Sequence, residues 1–440
     1  MKNPKNNSLL NRIVYAVNYF GSNSNLHGIG HVISLSHIPS FKRLCWLSIL
    51  LGSCWGTFSI LREVLDLYTQ GSVSYSVDTN YLSWNTPFPT VTLCEQLDTD
   101  RLRSYLAAKK LPPTMLAFFR DVLYYSNQQC KQCTNCKNTT CVDNYIDYVK
   151  DYRLKCEDML NKCWWAGKPY NCCEIFSPLK TEYGPCFAFN SRLTGDGFVR
   201  HINRTTGLPS LVFTASRLIT LRIHAPDDVV SVKVEKIVTT DTMPLVSELN
   251  ATLKSEAITS DMSIYRLDPL RRGCLLVQEK PSFAQQWPFK RYSYSACVLY
   301  CRAKLQVDLC NCTHHFMVRL NGYSICNVSG LGCLYKNKES LHSNTNCGCP
   351  MACEEINYKA VYVSFQREAS PVSKELIARG SRGVVRLNTL PTLRVRRHAI
   401  RDKMALVVDI GGVGGVFFGA SLLSVIEIVY LLCIRRSHSS

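Results

Sequence analysis

The chain has 440 residues, of which 46% are hydrophobic and 19% charged, a balance that excludes a disordered polymer and allows a sizeable buried core. Its net charge of +18 raises nucleic acid as a partner, but 23 cysteines are far more than a reducing cytosol would keep. All but three lie between Cys94 and Cys353, so that region belongs in an oxidising compartment, and the even number left there suits complete pairing.

The N-terminal segment, residues 1–43, carries Lys2, Lys5, Arg12, Lys42 and Arg43 and no acid. From Leu44 to Leu61 no residue is charged, and these 18 positions would span about 27 Å as a helix. Residues 44–61 are therefore expected to form a first transmembrane helix with the basic segment in the cytosol. A signal peptide is the competing reading, yet it needs a short basic leader rather than so long a preceding stretch. His27-Gly28, just before the span, reads on its own as an ordinary glycine turn.

Beyond the span, Phe88 to Cys94 alternates with β-branched residues and predicts a strand. Asp100 to Ser126 predicts two short helices broken at Pro112-Pro113. Cys130, Cys133 and Cys136, or Cys310 and Cys312 beside His314 and His315, have spacings that zinc could use, but thiols in an oxidising compartment favour disulfides. Gly184 to Asn190 predicts a buried strand. Cys297 and Cys301 fall on one helical face, so both can be tied to one neighbouring segment. Cys310, Cys312, Cys326, Cys333, Cys347, Cys349 and Cys353 follow, with no pairing decidable from spacing. Asn138, Asn203, Asn250, Asn311 and Asn327 each begin a glycosylation sequon.

Between Lys374 and Lys403 nine Lys/Arg face only Glu375 and Asp402. A second apolar run, 405–434, follows and contains two charges, Asp409 and Glu427. Arg435 and Arg436 then mark a cytosolic exit, leaving a tail of residues 435–440. Two spans put both termini inside and residues 62–404 outside, the side that the cysteines require. The second span is rich in glycine: Gly411, Gly415 and Gly419 fall on one face and suit close helix packing. A packing face alone does not explain Asp409 and Glu427, because ionisable groups within a span usually face a bundle interior or a watery pathway.

In Asp409-Ile410-Gly411-Gly412, Gly415, Gly419-Ala420-Ser421 and Glu427 the second span resembles that of the degenerin/epithelial sodium channel family. Leu26-His27-Gly28-Ile29 resembles its gating motif, and Phe88 to Cys94 its strand after the first span. Gly184-Pro185-Cys186-Phe187-Ala188-Phe189-Asn190 resembles its central-sheet stretch. Tyr292 to Cys301, with the later cysteines and Tyr358, resembles its thumb. Arg272-x-Cys274-x4-Glu279, Pro350 and Glu354 bring the pattern nearest the insect pickpocket subfamily. The resemblance implies an α+β extracellular domain of finger, thumb and palm on two transmembrane helices. It further implies a trimer at the plasma membrane that passes sodium ions, is blocked by amiloride, and opens to an extracellular stimulus or ligand that the sequence leaves open. Gly419, Ala420 and Ser421 would line the selectivity filter, while rings of Asp409 and Glu427 would concentrate cations. His27 and Gly28 would act in gating.

Three features depart from the family pattern. Val408 stands where members carry Gly, Ala or Ser, and a bulkier residue there would bias gating toward open. Arg394, Arg396, Arg397, Arg401 and Lys403 lie just before the second span, where positive potential disfavours cations. The short tail lacks the proline-tyrosine motif of epithelial sodium channels. An alternative reading is a non-conducting or regulatory subunit or receptor of the same topology. A purinergic-type channel lacks support in clustered lysines, and no HExxH or GxSxG constellation argues for an enzyme. No cofactor or metal is implied; lipid and identical or related subunits are the expected partners, and nucleic acid is not.

Overall fold

The computed structural model describes residues 26–33, 40–70, 73–80, 83–124, 129–137, 139–194, 197–232, 234, 238–239, 243, 246–343, 347–367, 380–400 and 403–429. Lys2, Lys5, Arg12, Asn138, Lys374, Glu375, Arg401, Asp402 and the expected cytosolic tail lie outside the described residues. The chain divides into two compact units, one of Met1–Ser74, Asp261–Arg272 and His398–Ser440, the other of Tyr75–Ser260 and Gly273–Arg397.

The first unit opens with a short helix, α1 (Ile29–Ile33), and a long one, α2 (Ser40–Gln70). The apolar stretch of α2 runs from Phe41 to Thr69 with a mean hydropathy of 1.7, and none of it is buried within the chain. The helix outruns the expected 44–61 at both ends. Arg62 to Gln70 contains neither proline nor glycine, so loss of apolar character at Arg62 does not stop the backbone pattern.

In the larger unit an eight-stranded sheet takes the order β1 (Val73–Asp78), β13 (Arg394–Ala399), β10 (Ser247–Ser260), β12 (Ser381–Leu387), β7 (Ser210–Ala215), β3 (Leu160–Trp165) and β4 (Lys168–Tyr170), with β11 (Glu355–Arg367) on the other edge of β10. The 14-residue β10 is the spine: its first half runs parallel to β12, its last four residues parallel to β13, and its far edge antiparallel to β11. A five-stranded sheet follows the order β9 (Val238–Thr239), β8 (Ile219–His224), β2 (Thr90–Glu95), β6 (Gly184–Phe189) and β5 (Phe176–Thr181). Both strands expected from the sequence are therefore neighbours in this sheet, with Cys94 opposite Cys186.

One core cluster draws alternate residues from both sheets: Val91, Leu93, Leu221 and Ile223 from one, Leu211, Phe213, Leu249 and Leu253 from the other. Period-two alternation is what a strand needs to bury one face. Gly383 on β12 lies under the Phe213 ring, and a Cβ there would collide with it.

A helical cluster packs α3 (Thr99–Ala108), α4 (Leu116–Leu123), α5 (Tyr145–Tyr152) and α7 (Val328–Lys336) around Leu106, Phe118, Phe119, Tyr145 and Leu331. Pro113 opens a 3-10 turn between α3 and α4, so the expected break falls where proline removes a backbone donor. The helix α6 (Tyr294–Cys310) begins at Ser293, whose hydroxyl accepts from the Ala296 amide at 3.2 Å, and ends at Asn311 in the left-handed region.

Ten disulfides pair all twenty cysteines between Cys94 and Cys353. Cys297 and Cys301, one helical turn apart on α6, both tie to one segment through Cys349 and Cys347. Cys310 pairs with Cys333, Cys312 with Cys326 and Cys274 with Cys353. The closely spaced Cys130, Cys133, Cys136 and Cys141 form two bridges, Cys130–Cys133 and Cys136–Cys141, so their thiols are not metal ligands. Of the sequons, Asn311 and Asn327 are exposed, Asn203 is half-buried and folds its side chain into its own turn, and Asn250 lies half-buried in the interior strand β10.

The first unit closes with α8 (Lys403–Phe418) and α9 (Leu422–Val429). The expected single span 405–434 is thus interrupted over the residues described.

Candidate functional site

The interruption falls on Gly419-Ala420-Ser421, the triplet singled out in the sequence. An uninterrupted apolar run gives no periodic warning of a break, but local chemistry provides one. Gly419 takes φ +62°, a left-handed conformation natural to glycine, and its amide reaches the Gly415 carbonyl at 2.9 Å. Ala420 N–H turns back to the Gly414 carbonyl at 3.2 Å, so two carbonyls of the last turn of α8 find donors.

Ser421 then starts α9. Its hydroxyl accepts from the Ser424 amide at 3.3 Å, while the Ser424 hydroxyl accepts from the Ser421 amide at 3.2 Å. This reciprocal pair is a capping box with serine in the usual Glu/Gln position. Ser421-x-x-Ser424 was therefore a readable helix start that the apolar surroundings concealed.

Breaking the helix also frees the carbonyl of Phe418, and His27 meets it. The His27 amide donates to that oxygen at 3.0 Å and its ring Nδ1 lies 3.3 Å away. A Cβ on Gly419 would strike the His27 ring. Gly28, at φ +83°, brings the turn onto α2, where a Cβ would stand 3.3 Å from Leu50. The His31 and Trp46 rings stack at 4.8 Å. The His27-Gly28 pair is a glycine turn, as its bland reading held, and it is also docked on the helix break.

Between the long helices the close approach is at Gly56, a residue not singled out in the sequence: a Cβ there would lie 2.9 Å from the Phe417 ring. Gly411 and Gly415 instead face little of the described chain: beyond its own helix, no described heavy atom lies within 4 Å of a Cβ on Gly411, and the nearest to one on Gly415 is the Ala420 oxygen at 3.7 Å. Val408 is 68% exposed, and Asp409 and Glu427 are half-buried on α8 and α9.

The basic residues preceding the second span are largely engaged within the larger unit. Arg396 pairs with Asp78 on β1 at 2.5 Å. The Arg394 guanidinium lies 4.2 Å over the Trp84 ring and donates to Thr86 at 3.0 Å. Arg397 sits 5.6 Å from the Tyr75 ring and donates to the Ala352 carbonyl at 3.4 Å. These partners lie between residues 75 and 86 or in the Cys353 loop, contacts that a local reading of charge cannot foresee.

A long helix apolar along its exposed length, a second apolar helix interrupted by Gly-Ala-Ser, and a disulfide-stapled unit of mixed helix and strand define the class of a membrane channel subunit. The chain belongs to the amiloride-sensitive sodium channel family, whose model matches residues 20–431. The sodium channel protein Nach of Drosophila ananassae is 26% identical over 392 residues, covering 80% of this chain and 74% of that protein. The bile acid-sensitive ion channel of Homo sapiens is 25% identical, covering 94% and 85%. Pickpocket protein 19 of Drosophila melanogaster is 22% identical, covering 93% and 89%, in keeping with the pickpocket resemblance of the sequence. Proteins of this family are ion channels and not enzymes.

Proposed function

We propose that this chain is a pore-forming subunit of a trimeric, sodium-selective channel of the plasma membrane, blocked by amiloride and opened by an extracellular stimulus. The observation that carries this reading is the break at Gly419-Ala420-Ser421, held from behind by His27. Breaking a helix at membrane depth leaves backbone oxygens free, and such oxygens are tolerated in lipid only where protein or a watery cavity meets them. Three copies around an axis would present a narrow ring of carbonyl and hydroxyl oxygens able to replace the hydration of a small cation. Asp409 and Glu427, at either side of the break, would raise local cation concentration.

Assembly with further copies is supported by two open surfaces. The glycine face at Gly411 leaves room for a neighbouring backbone. On β11, Tyr362 is 59% and Phe365 47% exposed, side chains that a sheet usually covers. In this reading α2 is the first span, α8 and α9 together the second, both termini are cytosolic, and the disulfide-rich unit is extracellular and carries the finger, thumb and palm. Exposed Val408 would bias the pore toward open. The pairing of Arg396 with Asp78 offsets one charge of the basic stretch, which supports this reading over a non-conducting subunit.

The test is whole-cell current in oocytes expressing this chain, with sodium replaced by N-methyl-D-glucamine and amiloride added. A sodium current lost on replacement supports the pore. Surface-expressed protein silent alone and with related subunits would refute it.

A further inference from the structure

The larger unit holds a cleft of about 640 Å³, within the range of about 300–1,000 Å³ typical of small-molecule sites. It lies between β5, the turn after β6, the loop that leads into α6, and the segment that leaves α6. Four cations line it, Lys180, Arg192, Lys290 and Arg291, and no acid is among the described lining residues. Its walls are otherwise apolar: Leu193, Phe289 and Val318 stand half-buried over a core cluster built on Leu299 and Val229.

Two of the cations are partly offset. Arg291 bonds Asp227 at 2.6 Å and Arg192 lies 3.8 Å from the same carboxylate, which belongs to a smaller neighbouring cavity of about 230 Å³ that also contains Asp228, Glu354 and Glu355. Arg192 and Arg291 also line that acidic cavity, whereas no acid among the described lining residues stands beside Lys180 and Lys290, so positive charge remains on the cleft side. Burial, and then the neighbouring Arg319 charge, hold the Lys180 ammonium below the usual lysine range. An anion settling beside it would offset the Arg319 charge and favour the ammonium form.

A soluble inorganic anion would use the charges and leave the apolar walls wet. A neutral apolar molecule would cover the walls and leave the lysines unpaired. Only a ligand with both parts satisfies the whole surface. We propose that this cleft binds an amphipathic organic anion, a carboxylate or sulfonate on an apolar body the size of a medium-chain fatty acid, with Lys180 and Lys290 holding the head group. As the stimulus that opens the channel, such a ligand rests on the pore reading above; as an occupant of the cleft, it does not.

The experiment uses the full-length purified chain in nanodiscs and follows the fluorescence of dansyl-undecanoic acid, with laurate, methyl laurate and inorganic phosphate as competitors. Saturable binding displaced by laurate, and not by its neutral ester or by phosphate, is expected. Replacing both exposed lysines, Lys180→Gln with Lys290→Gln, should weaken it at least tenfold. Equal displacement by methyl laurate, displacement by phosphate, or unchanged affinity in the double variant would overturn the assignment. Because binding is read without current, a silent channel leaves this result untouched, and current from a chain that binds no laurate would leave the pore reading standing.

Discussion

The backbone amide of His27 donates to the carbonyl of Phe418 at 3.0 Å, across 391 positions of sequence. This bond ties the segment before the first long helix to the point at which the second apolar helix stops. It supplies a donor to an oxygen that the left-handed turn at Gly419 releases from the helical ladder.

Gly419→Ala tests that arrangement twice over. An alanine at φ +62° costs about 1 kcal/mol in backbone strain, and its methyl meets the His27 ring. Current per surface channel, from voltage clamp normalised to surface biotinylation, is expected to fall about tenfold or more. Adding His27→Ala removes the obstructing ring and should restore part of the loss. Equal currents in wild type and Gly419→Ala would remove the triplet from the conduction path.

The pH dependence of stability follows from buried histidines. Burial pushes His224 down to about 4 and His315 down to about 3, and holds His314 well below the usual histidine range. His224 lies between Thr92 Oγ1 at 2.8 Å and the Ala225 carbonyl at 2.9 Å, with no room for a hydrated charge. Below about pH 6.5 the unfolded chain takes up protons that the folded one refuses, so stability is complete above that pH and declines as pH falls toward 4. Each such histidine contributes a slope of about 1.4 kcal/mol per pH unit. Thermal unfolding of the purified chain should therefore shift downward between pH 6.5 and 4, and His224→Asn should flatten the shift. A flat profile in the wild-type chain would contradict it. Burial thus opposes protonation of all three histidines in mild acid.

A third prediction concerns Glu182, fully buried and paired with Arg302 on α6, which is itself 7% exposed. The second carboxylate oxygen accepts from Ser231 Oγ and the Val232 amide, each at 2.9 Å. Breaking one partner leaves a buried charge, at a cost of about 3–5 kcal/mol. Glu182→Gln is expected to lower the unfolding temperature and reduce surface delivery strongly. Glu182→Leu with Arg302→Met should recover part of both, because no buried charge is left unpaired, while Ser231 Oγ and the Val232 amide lose their acceptor. If the single variant matches wild type in melting temperature, the pair is not holding α6 to the sheet.

What could be read in the sequence depended on how local its cause was. Strand β2 announced itself by alternation, strand β6 by the short motif from Gly184 to Asn190, and Pro112-Pro113 marked its own break, because each rests on residues within a few positions. The disulfide partners of Cys297 and Cys301 were not legible: one helical face was, but its target, Cys347 to Cys349, is placed by the whole fold. The same applies to Arg396 and Asp78, which meet only because β13 lies beside β1. The interruption of the second span had a local cause in Gly419 and in Ser421-x-x-Ser424, yet it was read as one helix because hydrophobicity on every face carries no phase.

Arg271 provides a last test, at the far end of α2. Its guanidinium lies 3.6 Å over the Tyr68 ring and donates to the Tyr68 carbonyl, one of the last-turn oxygens that a helix cannot satisfy internally. A cation at a helix C-terminus also complements the dipole, and a planar one can stack while it donates. Arg271→Ala should therefore loosen the last turn of α2, with amide hydrogen exchange at Leu67 to Gln70 about tenfold faster. Arg271→Lys keeps the charge and loses the stacking, so it should fall between. Tyr68→Leu removes the ring but leaves the carbonyl for Arg271, so its loss should be smaller than that of Arg271→Ala, and the double variant should be little worse than Arg271→Ala alone. Fully additive effects would mean that the two residues stabilise the helix end independently, and the stacked clamp would have to be abandoned.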